Sequence, residues 1–316
     1  MLGQASAQLK KTDNEDTKNI DAFAEQIQMI IYKGNSIYTA NVINVPITQP
    51  EVLYNNIDQG KSVVIYVHGV WESPFNENSQ TIVGAHLERG EENVWIFDWS
   101  KLSFYDYESA VKNSKIIAQI FAIALTKLVN LGFNIDNCHL VAHSLGAQIA
   151  GLIWKYMEYT LHKITGLDPA NPGFSQSTED HIDNRSARFV HIIHADEGFY
   201  GFPTKIGTAD FYPNDGKRPQ PGCTRRGPVY TPIDLCSHHR AWRYYAESVK
   251  IFGAFRATQC DNFKNYLNGN CLNNRVINMG YGAPTNAYGS YYLTTRGESP
   301  FGENYPYERN YSFTSI

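Results

Sequence analysis

Ser144 stands in Val141-Ala142-His143-Ser144-Leu145-Gly146-Ala147, where an apolar, β-branched run stops and a helix-compatible run, residues 148–154, begins at once. A serine at such a strand-to-helix turn has its hydroxyl lifted above the sheet edge, with the helix N-terminus and the next backbone N–H facing any developing negative charge. The helix starts almost touching neighbouring strands, so small residues must flank the serine. Gly146 meets that need, and Ala142 adds only one methyl. A serine hydroxyl is a poor nucleophile alone; it needs an imidazole base and a carboxylate that orients and balances the imidazole. In sites built this way the chain order is Ser, Asp, His. Asp168 ends a strand one crossover later, and Pro169 stops that strand and leaves the carboxylate in a loop. Five histidines follow it. His191 and His194 share a strand at odd spacing, which puts them on opposite faces and excludes a local two-histidine metal clamp. His181 lies in a charged loop and reads as solvated surface. His238 and His239 remain, in Cys236-Ser237-His238-His239-Arg240, just before a helix predicted over residues 241–251.

These groups need elements to hold them. Continuous apolar runs at residues 62–68 and 93–99 predict strands covered on both faces. Val111, Ile116, Ile117, Ile120, Phe121 and Leu125 recur at helical spacing and predict a helix between Glu108 and Leu131. Further strands are predicted at 138–143, 163–168, 188–194 and 291–295. Strands alternating with helices imply an α/β fold whose central sheet is mostly parallel, with right-handed crossovers. Ligands in such sheets bind at the carboxyl ends of the strands, where His68-Gly69, Ser144 and Asp168 all fall.

With 316 residues, 42% of them apolar, the chain can bury a large core, and residues 21–316 read as one catalytic-sized domain after a polar, flexible segment 1–20. A net charge of -4 and no long basic run give no reason to expect nucleic acid. No apolar stretch reaches the roughly 18 residues of a transmembrane helix. Met1 to Lys11 hold no complete signal peptide; Ala5-Ser6-Ala7 fits either a cleavage site of a truncated one or an ordinary N-terminus. The five cysteines form no Cys-x-x-Cys pair, which argues against zinc ribbons and thioredoxin-like redox work. Cys223 with Cys236, and Cys260 with Cys271, are bridgeable loop pairs, leaving Cys138 as a buried free thiol at a strand entrance. With the sequons at Asn184 and Asn310, the cysteines lean toward a secreted, extracellular setting.

Several segments in order resemble the pancreatic-lipase family of animal lipases, over about Val63 to Phe301. They are residues 141–147, Gly166-Leu167-Asp168-Pro169-Ala170-Asn171-Pro172, Asp210-Phe211-Tyr212-Pro213-Asn214, Gln220-Pro221-Gly222-Cys223 and Cys236-Ser237-His238. The resemblance implies an α/β-hydrolase fold with Ser144 as nucleophile, Asp168 as orienting acid and His238 as base, His239 being a neighbour. It implies an oxyanion hole from the backbone N–H groups of Leu145 and Val70. It also implies that residues 224–235 are the lid, with Arg225, Arg226, Tyr230 and Ile233 in it. That segment is short, as is the loop from Ala195 to Ala209. Family members with both loops short tend to be phospholipases that release the sn-1 acyl chain, since a polar headgroup can then approach. Substrate and partner are accordingly expected to be a phospholipid or acylglycerol at a lipid–water interface. A triacylglycerol lipase with a reduced lid and a non-enzymatic lipid-binding protein of the egg-yolk type remain alternatives, although the latter relatives lose the serine. The family's C-terminal β-sandwich domain is not expected in a chain that ends here. Its occasional calcium site falls near Asp183, but His181 and Ser186 replace ligands there, so no metal or other cofactor is expected.

Overall fold

The structure, a computed structural model, describes residues 14–224 and 227–304. Helix α1 (Asn14–Ala24) leads to the antiparallel strands β1 (Gln28–Lys33) and β2 (Asn41–Pro46), then to α2 (Pro50–Asn55) and β3 (Ser62–Val67). Next come α3 (Glu77–Arg89), β4 (Glu92–Asp98), one-turn α4 (Ser100–Ser103) and α5 (Tyr107–Asn130). They are followed by β5 (Cys138–His143), α6 (Leu145–Leu152), β6 (Lys163–Leu167), β7 (Phe189–Ile193) and β8 (Ala209–Pro213). Helix α7 (Cys236–Lys250), β9 (Arg256–Gln259), α8 (Phe263–Leu267), β10 (Val276–Asn278) and β11 (Gly289–Leu293) complete the described chain.

The strands form one sheet in the order β10-β9-β11-β8-β7-β6-β5-β3-β4-β1-β2. From β4 through β3, β5, β6, β7 and β8 to β11 every pairing is parallel, and the edge pairings are antiparallel. The period of two along each strand separates the core into two layers. Val63, Ile65, Val67, Leu140 and Ala142 face one layer with Ile117, Phe121 and Leu125 of α5. Val64, Tyr66 and Val141 face the other with Ile82 of α3 and Trp242 and Tyr245 of α7. The strand order reverses between β3 and β5, so the crevice at their carboxyl ends is where such a sheet opens to a ligand.

The predicted strands and the long helix lie where their periodicity put them, within a residue or two at most ends. Helix α1 begins inside the segment read as flexible, because Ile20, Phe23 and Ala24 give its last turns an apolar side that packs on the core. Helix α7 starts at Cys236 rather than near Ala241, so both histidines lie in its first turns. His239 N–H donates to Leu235 O at 2.9 Å, and the weak helix formers of Cys236–His239 had hidden that start. His181 is buried, with its ring 4.7 Å from Phe202 and Nδ1 2.7 Å from Ile182 O, so its reading as solvated surface is corrected. The charged residues around it turn outward while its ring covers the core. Both cysteine pairs are bridged, and Cys138 is a buried thiol pushed up to about 12 by burial.

His191 is fully buried on β7 between Phe189 and Phe211, and neither ring nitrogen has a partner. Burial first, then the charge of Lys163, holds its pKa well below the ordinary value, so the folded ring stays neutral. The unfolded chain binds a proton there below about pH 6.5, and stability tied to this group is lost as pH falls through that value. His191→Leu is therefore expected to gain on the parent protein by about 1.4 kcal/mol more at pH 5.5 than at pH 7.5, measured by urea unfolding. A pH-independent difference would contradict this.

Candidate active site

Strand β5 delivers Ser144 to its elbow at φ 54° and ψ -123°, and α6 begins at the next residue. A side chain held there carries about 1–3 kcal/mol of backbone strain, which surrounding contacts must offset. Ser144 N–H donates to Leu167 O at 3.1 Å, and Ser144 O accepts from Ala147 and Ala170, each at 3.1 Å. A Cβ on Gly146 would lie 2.3 Å from His68 O and 2.5 Å from Val67 O, so only glycine allows the helix this close to β3. The Ala142 methyl, by contrast, is absorbed into the core.

Asp168 follows β6 in a positive-φ conformation and is fully buried. Its Oδ1 accepts from Ala195 N–H at 2.8 Å and Asp196 N–H at 3.0 Å, while its Oδ2 accepts from His238 Nδ1 at 2.6 Å. Gly201 packs against this carboxylate so closely that a Cβ there would lie 2.3 Å from Oδ1. His238 is held by the first turns of α7, behind the Cys223–Cys236 bridge. Burial disfavours its charged form, but the hydrogen bond and charge of Asp168, with Asp196 and Glu72 behind them, raise its pKa overall. His239, beside it, is driven down to about 3, by burial first and then by His143.

Ser144 and His238 line one cavity of about 470 Å³, walled by Val70, Trp71, Tyr107, Tyr200, Tyr230 and Leu235. The N–H groups of Leu145 and Val70 have no hydrogen-bond partner among the described residues. Of the residues assigned to the lid, Tyr230 lies against Trp71 with ring centroids 4.9 Å apart, and Ile233 is 54% exposed. Arg225 and Arg226 lie outside the described residues. The segment's far end is fastened by Asp234, which accepts from Tyr200 and from Arg218 at 3.0 Å. Arg218 also forks onto Asp196 at 2.6 and 2.5 Å. Burial, partly offset by Arg218, puts the Asp196 carboxyl up to about 6.

Asp168, Asp196 and His238 offer three ligand atoms close together, but backbone N–H groups and Arg218 already occupy the carboxylates. With those acceptors engaged, the group is built to orient an imidazole rather than to hold a cation. His191 and His194 do not reach the cavity; His194 instead bonds Asp210 at 2.8 Å. Sequence reasoning missed Glu72, His143 and Tyr200 in the cavity wall. Only the nearness of Glu72 to His68-Gly69, and of His143 to Ser144, could have pointed to two of them.

A serine at a strand-to-helix elbow, on a mostly parallel sheet and sharing a cavity with a carboxylate-bonded imidazole, makes this an α/β-hydrolase fold. The chain belongs to the Lipase family, whose model matches residues 2–301. Lipase member H of Oryctolagus cuniculus is 29% identical over 261 residues, covering 78% of this chain and 54% of that protein. Pancreatic lipase-related protein 2 of Bos taurus is 33% identical over 200 residues, 57% of this chain and 42% of its own. The chain spans about half the length of the curated relatives it matches. Among solved structures, a ferulic acid esterase from Anaeromyces mucronatus is similar over 55% of this chain and 74% of its own at 13% identity and a TM-score of 0.34, too distant to bear on chemistry.

Proposed function

We propose that this protein is a secreted serine esterase of lipids that releases the sn-1 acyl chain of phospholipids. The observation that carries the reading is the 2.6 Å bond from His238 Nδ1 to buried Asp168, in a cavity shared with Ser144 at its elbow. In this mechanism the free Nε2 of His238 takes the proton from Ser144 Oγ as the oxygen attacks the ester carbonyl. The tetrahedral oxyanion is met by the N–H groups of Leu145 and Val70. His238 then returns its proton to the leaving alcohol, and a water activated by the same ring hydrolyses the acyl-enzyme. Asp168 holds the tautomer and balances the imidazolium. The short lid segment, only residues 224–235, supports a polar headgroup reaching the cavity, and the two disulfides support an extracellular setting.

Chain segments that line the cavity through Glu72, Asn76, Tyr107 and Tyr230 also carry exposed apolar side chains close by in sequence: Phe75 is 84% exposed, Val229 67% and Phe104 60%. They suit a lipid surface that presents an ester. Phe75→Asp is expected to lower hydrolysis of phospholipid vesicles by about tenfold or more, from the loss of one exposed aromatic that would bury itself in the lipid. Its kcat/KM on a water-soluble short-chain ester should be that of the parent. Equal losses on both substrates would remove the rim from the mechanism.

The test of the function is acyl release from a phospholipid labelled separately at sn-1 and sn-2, and from a triacylglycerol. Release from sn-1 alone supports the phospholipase. Dominant cleavage of triacylglycerol replaces it with a reduced-lid lipase, and no release from any substrate leaves a lipid-binding protein.

A further inference from the structure

One largely buried carboxylate at this cavity lies outside the Ser144–Asp168–His238 set. Glu72 Oε2 accepts from Gly69 N–H at 2.5 Å and from Asn78 Nδ2 at 2.6 Å, while Oε1 accepts from His143 Nδ1 at 2.9 Å. Asn78 is buried on α3 and also donates to the Tyr66 hydroxyl of β3 at 2.9 Å. One side chain thus joins the turn after β3, the helix that follows, and the residue preceding Ser144. The turn is tied again on its other side. Trp71, at φ 56°, donates its N–H to Ser103 O at 3.1 Å, and Ser103 Oγ donates back to Glu72 O at 3.1 Å. Between these two anchors stands Val70, whose N–H is left free among the described residues.

We propose that Glu72 is a positioning residue of the hydrolytic site: it fixes the Gly69–Trp71 turn so that Val70 N–H meets the oxyanion, and it holds His143 beside His238. This rests on the Ser144 mechanism proposed above. The geometry explains why an acid is tolerated here. An acceptor-only group is needed to take three donors from three elements, and a carboxylate has the lone pairs for it. Burial raises the Glu72 carboxyl, but the charge and hydrogen bond of His143, with His239 and Gly69 N–H, outweigh it and bring it down to about 2. It stays anionic throughout the working range. His143 in turn has its ring centroid 4.7 Å from that of His238, with Nε2 buried and unpartnered.

Two variants separate the clamp from the charge. Glu72→Ala removes the acceptor for Gly69 N–H, and its kcat on a soluble ester is expected to fall by about tenfold to a hundredfold with KM little changed, bounded by the loss of one oxyanion donor. Glu72→Gln keeps an acceptor and loses the charge, so most of kcat should return while the acidic limb of kcat/KM moves to lower pH. That limb reports His238, which faces Asp168, Asp196, Glu72, His143, His239 and Tyr200. Rates are taken per active site, counted by stoichiometric phosphonylation, so a poorly folded fraction does not enter. A kcat for Glu72→Ala within about twofold of the parent overturns the clamp, and an unmoved limb in Glu72→Gln overturns the electrostatic coupling. If Glu72→Ala does not fold, Glu72→Asp, whose shorter side chain cannot span Gly69 N–H, Asn78 and His143 together, takes its place under the same kcat criterion. Failure of the underlying mechanism looks different: the parent would not be phosphonylated, or Ser144→Ala would still hydrolyse.

Discussion

Ser144→Ala is expected to abolish ester hydrolysis, leaving at most about one part in 10⁴ of the parent rate, while the protein stays folded. Without Oγ there is no nucleophile, and the rate that survives is what the N–H groups and substrate binding supply to water. The loss falls on kcat, because those binding contacts are untouched. Stability should change little, since alanine keeps the Cβ that carries the strain at φ 54° and the lost hydroxyl is not among the side-chain bonds that hold the elbow together. Acyl release by the purified variant, with its thermal unfolding run alongside, checks both halves. Hydrolysis at more than a few per cent of the parent rate would move the chemistry to another residue.

Gly146→Ala is expected to damage the elbow far more than its single methyl suggests. The added Cβ lies 2.3 Å from His68 O and 2.5 Å from Val67 O, both backbone atoms of the strand end that leads into the Gly69–Trp71 turn. Neither can swing aside as a flexible side chain does. Helix α6 must retreat, costing about 3 kcal/mol or more, seen as a fall in melting temperature of roughly 6–12 °C. Because the retreat carries Leu145 N–H and Ser144 with it, a displacement near 1 Å should also cost about a hundredfold in kcat. A variant that melts and turns over like the parent would mean the helix and β3 are not in close contact.

Ser144, Asp168 and His238 could be singled out in the sequence because each sits in a short segment whose signal is local: a run that changes period, a strand stopped by proline, a pair of histidines beside a cysteine. Strands β3, β4 and β5 were legible for a similar reason, since burial on both faces leaves an unbroken apolar run. Strand β8 was not. It carries Asp210, whose carboxylate accepts from Ile206 and Gly207 N–H and from His194, so a polar residue sits inside a buried strand. Glu72 was equally hidden, because its partners lie three, six and 71 residues away and only the fold brings them together. The residues missed are those whose meaning depends on a neighbour supplied by another element.

The bridge between Cys223 and Cys236 gives the segment over the cavity the form of a hoop, its two ends welded at one point beside α7. A hoop turns about its weld. With twelve residues between the cysteines, six outgoing and six returning, its tip sweeps no farther than roughly 20 Å from that point. His238 stands two residues beyond the weld, on the anchored side. Whatever displacement the segment undergoes is therefore bounded by covalent length, and the bond that bounds it also keeps the imidazole out of that displacement.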